Sequence, residues 1–181
     1  MSSAEERELT RRAAHGDRAA FGEIVRRHQQ AVFNVAYRLL GNRQDAEDAA
    51  QETFLRAYQF FGRFNADRPL APWLKRVAVN VCLNRLESLR PELSLDQVPP
   101  RPEPAPGPEE YTLAREVGER LRAEIARLPP RYRAVIELRH FQDLSYEEIA
   151  AALHRPLSDV KSDLFRARKL LADRLKDWRE Q

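Results

Sequence analysis

The chain has 181 residues, enough for one ordinary domain or two small ones, and its 43% hydrophobic share can fill helical cores. A net charge of +3 is too small to point to any partner by itself. The single cysteine, Cys82, excludes an internal disulfide and points to a reducing, cytoplasmic setting.

The first helix signal begins at Asp17, a residue suited to capping. Phe21, Ile24, Val25, His28, Val32, Val35, Ala36 and Leu39 then recur at three- and four-residue steps, and Gly41 closes the pattern. A second helix is predicted from about Gln44 to Phe61, with Ala46, Ala49, Ala50, Thr53, Phe54, Ala57 and Phe61 facing inward. Phe64 to Pro69 reads as a loop. A third helix, Ala71 to Arg90, carries Trp73, Leu74, Val77, Ala78, Val81 and Leu86.

Seven of the 18 residues from Pro91 to Pro108 are proline, which forbids a helix and predicts an extended connector. Beyond it an amphipathic helix is expected from Leu113 to Leu128, stopped by Pro129 and Pro130, and another from Arg131 to His140. Ser145 and Glu148 form a capping-box pattern ahead of Ile149 to Leu153. A turn, His154 to Leu157, leads to a long basic helix that Ser158 is placed to cap. This short helix, turn and basic helix make a helix-turn-helix pattern. The expected fold is all-α. Residues 1–90 form one small helical domain, 91–110 a Pro-rich acidic linker, and 111–181 a second helical domain with the helix-turn-helix.

Charge follows the same division. Residues 17–90 hold twelve Lys and Arg against eight acids, 91–110 one against five, and 131–181 eleven against nine. Within the second helix Asp45, Glu47, Asp48 and Glu52, with Gln51 among them, make an acidic stripe. Such a face repels phosphate and suits a protein partner, unless it is a solvated face whose first acids favour the helix dipole. The third helix is basic, with Lys75, Arg76, Arg85 and Arg90 against Glu87, and Asn80 and Asn84 lie one turn apart. Cations neutralise phosphates, and Asn can donate and accept at base edges.

Two stretches resemble a known family. Asp45-Ala-Glu-Asp-Ala-Ala-Gln-Glu-Thr-Phe54 with Pro72-Trp-Leu-Lys-Arg-Val-Ala-Val-Asn80 resembles the second conserved region of bacterial RNA polymerase sigma factors. Leu128-Pro-Pro-Arg-Tyr-Arg-Ala-Val-Ile-Glu-Leu-Arg-His-Phe141, Leu144-Ser-Tyr-Glu-Glu-Ile-Ala150, Val160-Lys-Ser162 and Phe165-Arg-Ala-Arg168 resemble the fourth. The short connector and the absence of further domains are similar to the extracytoplasmic-function (ECF) group.

The resemblance implies a factor that binds core RNA polymerase, reads promoter DNA at its −10 and −35 elements and promotes opening. It implies no cofactor, no catalytic residue and an anti-sigma factor as a further partner. The core polymerase would meet Asp45, Glu47, Asp48, Gln51 and Glu52. The −10 element would meet Phe64, Asn65, Ala66, Lys75, Arg76, Asn80 and Asn84, with an unpaired base held by the loop. Stacking on Phe64 would be worth ~1–3 kcal/mol. The −35 duplex would meet Ser158, Lys161, Ser162, Phe165, Arg166, Arg168 and Lys169 in the major groove.

Some of these residues also have plain packing readings. Trp73, Phe54, Phe60 and Phe61 fall at core spacing, Phe165 and Leu164 can pack the last helix, and Asn80 can bridge helices. Asp163 stands where the family usually has Arg, and the turn His154-Arg155-Pro156-Leu157-Ser158-Asp159 replaces a Gly-Ile-Pro-x-Gly-Thr pattern. An acid close to DNA is expected to alter or weaken −35 preference. His15, His28, His140, His154 and Cys82 have no zinc-ligand spacing, so no metal site is expected. No apolar run reaches the ~20 residues of a bilayer span, and no apolar signal core opens the chain. The competing function is a helix-turn-helix regulator that does not bind core polymerase as a sigma subunit.

Overall fold

In a computed structural model, residues 3–88 and 113–179 are described, with side chains for 4–88 and 118–176. The proline-rich connector and Arg90 lie outside the described residues.

The first half is four helices. α1 (Ser3–Ala14) was not anticipated, and an ion pair between Arg12 and Asp17, 2.6 Å, ties its end to the start of the next helix. α2 (Arg18–Leu40) starts where Asp17 accepts from the Ala20 amide at 3.0 Å. It stops at Gly41, whose left-handed φ of 81° suits only a residue without Cβ. α3 (Arg43–Phe60) is capped by Asn42, which accepts from the Asp45 amide at 2.8 Å. A 3₁₀ turn (Phe61–Arg63) and a loop lead to α4 (Leu70–Ser88). Ile24, Val35, Leu39, Ala46, Ala49, Ala57, Leu74, Ala78 and Val81 meet in the core between α2, α3 and α4. Phe61 is buried edge-on against Phe21 and Trp73, with centroids at 5.2 and 5.8 Å. Phe60, expected in the core, is instead 54% exposed, because it falls on the outer side of the last turn of α3.

The second half is α5 (Leu113–Ala126), α6 (Pro130–Ile136) continued by a π-helical turn (Glu137–Phe141), α7 (Tyr146–Leu153) and α8 (Leu157–Arg179). Pro130 sits at the first helical position of α6, where its missing N–H costs nothing. The capping box at α7 is complete: Ser145 Oγ accepts from the Glu148 amide at 3.1 Å, and Glu148 Oε2 accepts from the Ser145 amide at 2.8 Å. At α8 the Pro156 carbonyl accepts from Asp159 and Val160, so Ser158 lies inside the first turn and is not the cap.

The two halves touch. Arg38 of α2 donates from Nε and Nη2 to the two carboxylate oxygens of Glu137, both at 2.7 Å, and Glu137 is only 2% exposed. The same guanidinium lies over the Phe141 ring at 4.7 Å. α4 rests against α6, with Cys82 fully buried there and burial pushing its thiol up to about 12. This is the inert, apolar reading of that cysteine.

Candidate nucleic-acid and protein interfaces

α3 presents its acids on two flanks. Arg85 of α4 reaches Glu52 at 3.4 Å, Asp48 at 3.9 Å and Asp45 at 4.0 Å, so three members of the predicted stripe are partly neutralised. Glu47 pairs with exposed Arg43 at 2.7 Å, away from Arg85, and Gln51 is exposed. Glu47 and Gln51 instead border a groove of about 660 Å³ between α2 and α3, floored by Phe21, Val25, Phe33 and Phe54. Leu55 at its edge is 66% exposed, and Tyr58 and Phe60 are exposed on the same helix. Sequence reasoning found the acids and missed this apolar ground. The signal was available: Leu55, Tyr58 and Phe60 fall off the alanine-rich inward spacing of α3 yet are large and apolar.

The loop before α4 is only partly open. Phe64 packs against Trp73 and Phe61, with centroids at 4.7 and 5.8 Å, so its ring extends the core and is not a free stacking platform. Asn65 is exposed, and its Oδ1 accepts from the Asp67 amide at 2.9 Å, which shapes the loop; Ala66 is half-buried beside it.

On α4, Lys75 and Arg76 are half-buried and Asn84 is exposed. Asn80 takes the helix-bridging role of its packing reading in this arrangement. Its Nδ2 donates to the Ala152 carbonyl of α7 at 3.1 Å, so the second half occupies it. Arg76 faces Glu148 of the same helix, whose carboxyl the Ser145 amide holds below its usual value. Asn80 and Asn84 thereby line a cleft of about 540 Å³ shared with Arg131, His154 and Arg155.

α8 shows the cleanest division of faces. Val160, Asp163, Leu164, Ala167 and Leu171 are buried, while Ser158, Lys161, Phe165, Arg166, Arg168 and Lys169 are exposed and Ser162 half-buried. The expectation that Phe165 packs the helix is wrong for this residue and right for Leu164. Phe165 is 69% exposed in the middle of the outward band, where 3.6-residue periodicity puts it above Ser158 and Ser162. Arg168 sits at one edge, donating to the Tyr146 hydroxyl at 3.3 Å with His140 Nε2 at 3.4 Å. Arg166 sits at the other edge, beside the Tyr132 hydroxyl. The guanidiniums of Arg131 and Arg166 there lower the Tyr132 pKa.

Asp163 lies on the inward face of α8. It is 4% exposed, and Arg155 Nη1 donates to its Oδ2 at 2.6 Å while Arg131 Nε lies 3.8 Å from Oδ1. The Asp163 carboxylate is therefore paired within the second half and withdrawn from the outward band of α8. No group of side chains suited to a metal ion occurs among the described residues, and none of the described helices is long and apolar enough to cross a membrane.

A helical unit with an acidic and apolar flank, followed by a helix-turn-helix with a cationic outer band, is the arrangement of the sigma-70 class. Residues 24–91 match the family model for Sigma-70 region 2, and residues 118–171 match that for Sigma-70, region 4. The chain belongs to the ECF group of sigma factors, the subunits that direct transcription initiation. It is 34% identical to the ECF RNA polymerase sigma factor SigW of Bacillus subtilis, over 90% of this chain and 92% of that one. It is 32% identical to the RNA polymerase sigma-H factor of Pseudomonas aeruginosa, over 94% of each. Among solved structures, CnrH in complex with the cytosolic domain of CnrY superposes with a TM-score of 0.63 at 26% identity, over 95% of this chain and 97% of that one. Sigma factors are known as non-enzymatic initiation factors.

Proposed function

We propose that the chain divides its work among three surfaces, with domain limits near 1–90, 91–110 and 111–181. The α3 flank with Glu47 and Gln51, together with the apolar groove and Leu55, meets core RNA polymerase. Asp45, Asp48 and Glu52 contribute from the flank shared with Arg85. Acids there repel DNA, and the groove offers the apolar area that a stable protein contact needs. The loop at Asn65 and Ala66, with Lys75, Arg76, Asn80 and Asn84 of α4, meets the −10 element once the second half moves off α4. Phe64 supports that loop from beneath. The outward band of α8 enters the major groove at the −35 element, where Lys161, Arg168 and Lys169 meet phosphates and Ser162, Phe165 and Arg166 meet base edges.

The chain works without catalysis or cofactor in the cytoplasm, with promoter DNA and polymerase as its partners. A further partner is an anti-sigma factor; the related CnrH was solved with a protein bound to it, and the sigma factor RpoE with the anti-sigma factor NepR in Bartonella quintana.

The observation that carries this reading is α8. Four cations and an exposed phenylalanine share the outward side of a helix that buries Val160, Asp163, Leu164, Ala167 and Leu171 on the opposite one. Run-off transcription from a promoter library, with core polymerase and with or without the chain, tests it. Promoter-dependent transcripts are expected only with the chain. Arg166→Ala should reduce upstream-element recognition while core binding stays intact, and loss of both together would refute the assigned division.

A further inference from the structure

The turn between α7 and α8 is short and lacks glycine. His154 takes a left-handed conformation, φ 52° and ψ 44°, that L side chains adopt only at some cost. The Arg155 amide then closes back on the Ala150 carbonyl at 3.0 Å, and Pro156 starts α8. A turn of this kind, built from residues with side chains, needs something else to set the angle between its two helices.

Three side chains supply it. Arg155 sits in the turn, Asp163 in the second turn of α8 and Arg131 at the start of α6. The Asp163 carboxylate uses both oxygens, one for Arg155 at 2.6 Å and one towards Arg131 at 3.8 Å. Arg155 also reaches Asp159 at 3.7 Å, one turn back along α8. Arg131 continues the chain, donating from Nη2 to the Tyr132 hydroxyl at 3.1 Å and lying over that ring at 4.9 Å. Tyr132 is the residue beside Arg166, on the edge of the outward band. Positions 155 and 163 are both departures from the family pattern, and they are the two ends of one ion pair.

We propose that Asp163 is a positioning residue for −35 recognition: through Arg155 and Arg131 it fixes α8 against the turn and α6, and so sets how Arg166 and its neighbours meet the DNA. Asp163 itself touches no base or phosphate. A buried carboxylate that accepts from the Arg155 guanidinium in the turn and faces that of Arg131 on α6 is directional in a way that apolar packing is not, so it specifies one helix angle. Small errors of angle are magnified along a reader helix, and bidentate contacts to base edges tolerate little displacement.

The inference rests on α8 being the −35 reader, and the experiment separates the two. Holoenzyme reconstituted from core polymerase and the full chain is used to select a promoter from a randomised library. Binding is then measured on that promoter and on a fragment with the upstream element scrambled and the −10 element kept. Arg166→Ala tests the reader: if it leaves the ratio of affinities unchanged, the −35 assignment fails whatever Asp163 does.

With that control passed, Asp163→Asn and Arg155→Met are each expected to lower the ratio about tenfold, the size of one lost base contact. The double variant should be no worse than either single one, because both remove the same link. Asp163→Glu, which keeps the charge, should recover part of the ratio. The proposal is overturned if Asp163→Asn keeps the ratio, if the two singles add independently, or if affinity for both fragments falls in parallel with the melting temperature. That last pattern is what a residue serving only stability would give.

Discussion

The two halves are held together by different chemistry. In the first half the buried polar residues, among those described, are Thr10 and Thr53, hydroxyls that bond the preceding turn of their own helix, and the rest of the interior is alanine, branched aliphatics, Cys82 and an aromatic cluster. In the second half Glu124, Arg133, Glu137 and Asp163 are all buried, and among the described residues no other charged side chain is. Glu124 alone stands within 4 Å of Arg120, Arg127 and Arg174. A small domain with few apolar residues to spend gains little from burying ions, since desolvation offsets attraction. It gains geometry instead. The half that carries the helix-turn-helix is the half built on directional pairs.

The largest effect is expected where the apolar half is hollowed. Phe61→Ala removes the ring on which Phe21, Phe64 and Trp73 converge and should cost about 3–5 kcal/mol in urea unfolding. Arg38→Ala comes next. It strands the buried Glu137 carboxylate, at a cost of up to about 3 kcal/mol that the protein can escape by parting its halves. Small-angle scattering should then report a larger radius of gyration, and an unchanged profile would show that this pair does not hold the halves closed.

Arg133→Met should act in the opposite direction. Burial pushes this guanidinium down to about 10, and its Nε and Nη1 find no hydrogen-bond partner among the described residues. An apolar chain of similar length should raise stability by about 1 kcal/mol, and a loss would mean the charge is compensated in solution.

The smallest effect compares the caps. Asp17 is held below its ordinary 3.8 chiefly by the Ala20 amide and then by Arg12, and Glu148 below 4.5 by Ser145. Both pKa values are depressed on folding, so their contribution is complete above the ordinary values and disappears as pH falls through the lowered ones. Asp17→Asn and Glu148→Gln together should lower stability slightly at neutral pH, where the carboxylates contribute, and flatten its fall below about pH 4, as read by urea unfolding across pH.

Much of this was legible in the chain. Asp17, Gly41, Ser145 with Glu148, and the prolines at 129 and 130 marked helix limits within a residue or two, because caps act over three or four residues. The outward band of α8 was legible from period alone. Errors gathered at the aromatics: Phe60 and Phe165 are large apolar residues on outward faces of their helices, where hydrophobicity argued for the core and the helix face decided otherwise. Ser158 was misplaced as the cap by two residues because Pro156 and Ser158 both suit a helix start.

The amino-acid order alone determined an all-α chain, two helical halves around a proline-rich connector and a basic reader helix, since each is written in spacings shorter than a helix turn or two. Only tertiary structure decided that Arg38 meets Glu137 99 residues away, that Asn80 is occupied by Ala152 72 residues away, and that Asp163 turns inward. Contacts at such separations leave no periodic trace, because they depend on how whole helices cross and which flank each presents. A charged residue carries the same letter whether it faces solvent or closes a buried pair.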